Sequence, residues 1–225
     1  MTVAANYGVI FDMDGVLVDS YRPHLLSTQE TCRSRGVEMS DAQFNALFGQ
    51  SFASFAKAVF GDAMTPAQVQ EWYWEKEDLY RQMIREDFPA MDGAAELIAA
   101  LSDADFRLAI GSSGPKENVA CIVENLPGGK LFHATVNGDE VKRGKPAPDV
   151  FLKAAEKLGL APARCAVVED SLHGLRAART AGMRAIGITG TAPFAELAAE
   201  ADLAIRSLRE LSPAVFAKLL GVALT

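Results

Sequence analysis

The chain has 225 residues, 49% of them hydrophobic and 23% charged, with 29 acidic against 22 basic side chains and a net charge of −7. That size suits one large domain, or a domain carrying an insertion, with enough chain to bury a real core. The acidic balance and the lack of any Lys/Arg-rich run argue against nucleic-acid or anionic-membrane partners, and no window reaches the roughly 18 apolar residues of a membrane helix.

In chain order, the apolar run Tyr7 to Phe11 predicts a buried first strand. From about residue 20 to 89 no strand pattern follows. Helical spacing runs instead through His24 to Ser34, Asp41 to Phe48, Phe52 to Phe60 and Pro66 to Ile84, up to Phe88-Pro89, where the proline disfavours helix at the residue before it. Strand patterns then recur at Arg107 to Gly111, Ala134 to Val136, Cys165 to Glu169, Arg184 to Ile188 and Leu203 to Ile205. They alternate with helical patterns at Gly93 to Leu101, Pro115 to Leu126, Ala147 to Leu158, Gly174 to Ala181 and Leu208 to Leu219. Such alternation predicts an α/β fold, a doubly wound parallel sheet, interrupted after its first strand by an all-helical insert. The expected boundaries are 1–19 with 90–225 for the sheet domain and 20–89 for the insert, the two crossing points forming a hinge. Most of Trp72, Tyr73, Trp74 and Tyr80 are expected to build the insert's own small core. Trp72 and Trp74, two positions apart on one helix, cannot face the same way, so one of them is exposed at the surface or at an interface. Cys32, Cys121 and Cys165 are widely separated and lack metal-spaced partners, and Met1 to Tyr7 has no leader-like pattern. Buried thiols in a soluble cytoplasmic protein are the expectation.

The chemistry concentrates where the predicted strands end, which in a doubly wound sheet is where ligands collect. The first strand runs directly into Asp12-Met-Asp14-Gly15. Alternation along extended chain sends both carboxylates to one side, and Gly15 lets the backbone turn away beneath them. Two like charges held so close need a cation. A calcium loop would place its glycine sixth rather than fourth, and a solvated acidic turn is the plainer alternative. The second predicted strand ends in Ser112-Ser113-Gly114, which either caps the helix from Pro115 or offers a hydroxyl and backbone N–H groups to a phosphate; the two uses are compatible. Lys145 stands in Arg143-Gly-Lys-Pro-Ala-Pro148, and Glu169-Asp170 follows the fourth predicted strand. Each is ordinary alone; their convergence, at three strand ends and in the loop before Ala147, is what sets them apart.

In these motifs the chain resembles the haloacid dehalogenase-like (HAD) superfamily, in the branch with a helical cap after the first motif, near β-phosphoglucomutase and phosphoglycolate phosphatase. Asp12-Met-Asp14-Gly15, Ser112, Lys145 and Glu169-Asp170 match its four motifs in order, and with the insert they span nearly the whole chain. The resemblance implies Asp12 as nucleophile forming an aspartyl phosphate and Asp14 as general acid and then base. Ser112, Ser113 and Lys145 would hold the phosphoryl group, and Mg2+ would bind Asp12, the Asp14 carbonyl, Asp170 and either directly or indirectly Glu169. His24, Gln50 and Lys76 in the insert are its candidate substrate contacts. The implied function is a magnesium-dependent phosphatase for a small phosphorylated metabolite, acting as a monomer or weak homodimer.

The nearest alternative is a β-phosphoglucomutase-type mutase. Such a cap brings an arginine to the second phosphate, and here Phe52 of Gly49-Gln-Ser-Phe52 stands at the expected place, which favours hydrolysis; Arg22, Lys57 or Lys76 are candidate substitutes. A dehalogenase leaves Asp14, Glu169 and Asp170 unexplained. A phosphonatase lacks an acid where Asp14 stands and needs a Schiff-base lysine in its cap. A phospho-receiver module has no use for the insert.

Overall fold

The computed structural model describes residues 6–223. Six parallel strands, β1 (Gly8–Phe11), β2 (Arg107–Gly111), β3 (Ala134–Val136), β4 (Cys165–Glu169), β5 (Arg184–Ile188) and β6 (Leu203–Ile205), form one sheet in the order β3-β2-β1-β4-β5-β6. All residues of β1 and β4 are buried, as expected of strands covered on both faces. The chain leaves β1 for β2 on one side and returns to β4 on the other. The strand order therefore reverses at β1 and opens a crevice at its carboxyl end.

The residues group into two compact units, one holding the sheet (to Asp19 and from Phe88) and one comprising Ser20–Asp87. The second contains α1 (Tyr21–Arg33), α2 (Asp41–Leu47), α3 (Phe52–Phe60) and α4 (Pro66–Glu86). Ser40 with Gln43 and Thr65 with Gln68 form capping boxes that start α2 and α4, and Pro66 suits the first position of α4. Trp72 is fully buried with Phe44, Phe55 and Cys32, its indole N–H donating to Thr31 Oγ1 at 2.9 Å, while Trp74 keeps 37% of its surface exposed. In the sheet unit, Asp19 N donates to Pro89 O at 2.8 Å and Met91 N to Leu17 O at 3.1 Å, tying together the two segments that lead to and from the insert.

The sheet is flanked by α5 (Ala94–Asp103), α6 (Lys116–Asn125), α7 (Asp149–Leu158), α8 (Leu172–Thr180), α9 (Phe194–Glu200) and α10 (Pro213–Leu220). Ile10, Ala109, Val136, Phe151, Val167 and Leu175 share its core. The strands fall where the pattern predicts. Helix bounds depart at several ends: α1 begins three residues before His24 and α8 two before Gly174, and three further helices depart for physical reasons. The predicted Leu208 to Leu219 helix is broken into a 3-10 turn, Leu208–Glu210, and α10, because Pro213 restricts Ser212 to extended backbone. Pro148 and Asp149 delay α7 by two residues relative to Ala147. The unforeseen α9 has seven residues with only Leu197 buried, too little to produce a helical period. The three cysteines are buried, and burial pushes the Cys32 thiol up to about 11 and that of Cys165 to about 12. No helix among the described residues is long and apolar enough to cross a membrane.

Candidate functional site

Asp12 is the first residue beyond β1, and its N–H continues the ladder to Val168 O at 2.9 Å, so the strand pairing itself fixes where this carboxylate starts. Glu169 ends β4 and Asp170 follows it. Lys145, from the loop before α7, bridges across the crevice: its Nζ lies 2.6 Å from Asp12 Oδ1 and 2.7 Å from Glu169 Oε2, and 4.9 Å from the centre of the Phe151 ring. Asp12, Glu169 and Asp170 are buried, and one oxygen from each lies within 4.8 Å of the others.

Three carboxylates against one ammonium leave negative charge uncompensated in a poorly solvated site. Burial, reinforced by Glu169 and opposed by Lys145, holds the Asp12 carboxyl well above the ordinary aspartate range. Burial and Glu169 likewise push Asp170 up to about 7, against the opposing hydrogen bonds from Thr191. Burial alone would lower the Lys145 ammonium, but Asp12 and Glu169 outweigh it and raise it. This donor set fits a divalent cation, with hard oxygen ligands and an excess of negative charge to match. The oxygens are not equally available. Glu169 has one engaged by Lys145 and the other by Ser171 N and Oγ at 3.1 and 2.8 Å, whereas Asp12 gives one to Lys145 and Asp170 one to Thr191 N (3.0 Å) and Oγ1. The geometry therefore suits Asp12 and Asp170 as ligands and Glu169 as the anchor of Lys145.

The Asp14 carboxylate is half-buried and lies outside the three-acid group. Gly15 beside it adopts φ +74°, and a Cβ built there would collide with the Asp170 carboxylate, so glycine is required on both counts. Ser112 is buried at the end of β2, and its Oγ accepts from Gly114 N at 3.0 Å, leaving its one proton to donate elsewhere. It does not cap α6: Pro115 occupies the cap position, and Lys116 N donates to Asp139 Oδ2 at 3.1 Å. Ser113 is exposed.

Within the helical unit, His24, Gln50 and Lys76 line a single cavity of about 210 Å³, together with Thr28, Phe48 and Glu77. His24 Nδ1 lies 2.7 Å from Lys76 Nζ, which is also 2.9 Å from Glu77 Oε1, and the imidazole stacks on Tyr80 with centroids 4.1 Å apart. Gln50 is exposed at the rim, its amide 3.4 Å from Ala46 O. Phe52 packs against Trp72 and Tyr73.

The profile of the haloacid dehalogenase-like hydrolases matches residues 9–188, a span that includes Asp12, Ser112, Lys145, Glu169 and Asp170. The chain belongs to this family. As a haloacid dehalogenase-like hydrolase it is an enzyme, with the α/β core and helical insert of that fold. It is similar to β-phosphoglucomutase of Bacillus subtilis (strain 168), with 31% identity over 91% of each chain. It is also 30% identical to validoxylamine A 7'-phosphate phosphatase of Streptomyces hygroscopicus subsp. limoneus, over 90% of this chain and 94% of the relative. Among solved structures, a family IA, variant 3 hydrolase of this type from Entamoeba histolytica HM-1:IMSS superposes with a TM-score of 0.86 at 28% identity, covering 96% of this chain and 99% of that one.

Sequence reasoning missed Ser171 and Thr191, which bind Glu169 and Asp170 through hydrogen bonds, and Asp139, which receives Lys116 N at the start of α6. Ser171 adjoins the Glu169-Asp170 pair, and Thr191 lies in the loop after β5, so a search of every strand end would have found both. Asp139 had no comparable signal.

Proposed function

We propose that this haloacid dehalogenase-like hydrolase is a magnesium-dependent phosphomonoesterase. Its substrate is a small phosphorylated metabolite of the sugar phosphate or phosphoglycolate kind, and turnover passes through an aspartyl phosphate on Asp12. The observation that carries this reading is the buried Asp12 carboxylate, held by Lys145 at 2.6 Å beside Glu169 and Asp170 at the sheet's switch point.

Asp12 attacks phosphorus as the bond to the ester oxygen breaks, and Asp14 gives a proton to the departing oxygen. Water then attacks the acyl phosphate while Asp14 recovers a proton from it, so one carboxylate serves both half-reactions. Lys145 holds the reacting carboxylate in place and balances phosphoryl charge, and the Ser112 hydroxyl donates its remaining proton to a phosphoryl oxygen. A divalent cation, held by Asp12, Asp170 and the Asp14 carbonyl, supplies the charge that lets a carboxylate approach a phosphate dianion, and magnesium matches these hard oxygens.

Hydrolysis is favoured over mutase chemistry by the insert. Phe52 belongs to its aromatic packing, and Lys76, which lines the cavity shared with His24 and Gln50, is already paired with Glu77. That lining is a poor host for the second phosphate of a bisphosphate. Purified protein with MgCl2 is expected to release phosphate from at least one member of a panel of sugar and organic-acid phosphates and not to isomerise β-glucose 1-phosphate. No release from any ester defeats the reading, and efficient isomerisation transfers it to the mutases.

A further inference from the structure

The Glu169 carboxylate rests on the first turn of α8. Ser171 caps that helix, its Oγ accepting from Gly174 N at 3.0 Å, and the same hydroxyl donates its proton to Glu169 Oε1 at 2.8 Å. Gly174 is buried, and a Cβ built on it would fall inside the Glu169 carboxylate. Glycine is thus required there for room, although alanine is the better helix former. The opposite oxygen of Glu169 receives Lys145 at 2.7 Å, and Lys145 reaches Asp12 at 2.6 Å.

We propose that Ser171 and Gly174 are positioning residues, forming a seat on α8 that orients Glu169 toward Lys145 and so fixes the Lys145 ammonium on Asp12. Their consequence for turnover rests on the reading of Asp12 as the reacting carboxylate; the seat itself does not. Supporting groups behind an ionic site typically change its performance by about 10- to 100-fold when removed.

The test is the rate at which an amine-reactive N-hydroxysuccinimide ester acylates Lys145 in the full-length protein, read by peptide mass spectrometry, with kcat and KM for phosphate release in parallel. Ser171→Asp keeps a good helix cap and the backbone N–H bond to Glu169 but replaces the hydroxyl donor with a like charge, which separates seating from capping. Ser171→Asp and Gly174→Ala are expected to raise Lys145 labelling about 10-fold without changing the other lysines, and to lower kcat about 10-fold at nearly constant KM. Ser171→Thr, which retains the hydroxyl, is expected to label as wild type does. Wild-type labelling of Lys145 in both Ser171→Asp and Gly174→Ala overturns the proposal, as does equal acceleration at every lysine. A wild-type protein that releases no phosphate defeats the phosphatase reading alone, because the labelling rates still decide the seat.

Discussion

Lys145 is buried between two carboxylates that come from different strands, and each of its ion pairs shows how the site tolerates charge away from water. Lys145 answers Asp12 and Glu169, Ser171 answers the other Glu169 oxygen, and Thr191 answers Asp170. Removing one partner of such a set leaves charge buried and unmatched, which is more damaging than the pair's net contribution suggests. Gly15 shows the same tightness sterically. Gly15→Ala forces a side chain into a left-handed conformation, which costs about 1–2 kcal/mol before any contact is counted. The new Cβ would also displace the Asp170 carboxylate. Urea unfolding is expected to show at least that loss, with phosphatase activity falling further than stability does. Asp12, Ser112, Glu169 and Asp170 were legible because they sit at strand ends, which the apolar pattern locates, and Lys145, in the loop before α7, through its motif Arg143-Gly-Lys-Pro. Ser171 and Thr191 also lie just beyond strands, but which group each one bonds is set by the path of its loop in space, which local pattern does not encode.

At the scale of elements, periodicity located all six strands because β1 and β4 are continuous apolar runs and the others are bounded by turn residues. Of the helices whose bounds shift, α7 and α10 do so at prolines, and α9 buries too little to register. In the insert, α4 carries two tryptophans with opposite environments. Trp72 is packed against Phe55 and Phe60 and bonded to Thr31, whereas Trp74 is partly exposed. Trp72→Ala is expected to destabilise the helical unit by about 3–5 kcal/mol. Trp74→Ala is expected to stay within about 0.5 kcal/mol of wild type. Chemical denaturation of both variants checks the contrast, and equal losses would contradict the packing described for α4.

At the scale of the whole molecule, the uncompensated acids link stability to protons and to cations. A carboxyl raised on folding binds more protons in the native than in the unfolded state. Cation-free protein therefore loses stability as pH rises from the ordinary aspartate value of about 4 to the value of about 7 reached by Asp170. A magnesium ion held by these acids would compete with those protons. Its stabilisation is expected to be larger at pH 8 than at pH 5.5, and chelation is expected to lower Tm more at the higher pH. Differential scanning calorimetry with and without EDTA at both values checks this, and the reverse order would remove the acidic cluster as the cation site. Asp12→Asn relieves part of the same charge excess. It is expected to retain or gain thermal stability while losing about a thousand-fold or more in turnover, which distinguishes a reacting group from a structural one.

Acid-quenching the enzyme during turnover of an ester it hydrolyses, and mapping the phosphorylated peptides, shows whether Asp12 carries the phosphoryl group. A phosphoryl group is expected on Asp12, formed and lost at rates compatible with turnover and missing in Asp12→Asn. Rapid phosphate release by Asp12→Asn, or wild-type turnover with phosphate on another residue, would contradict it.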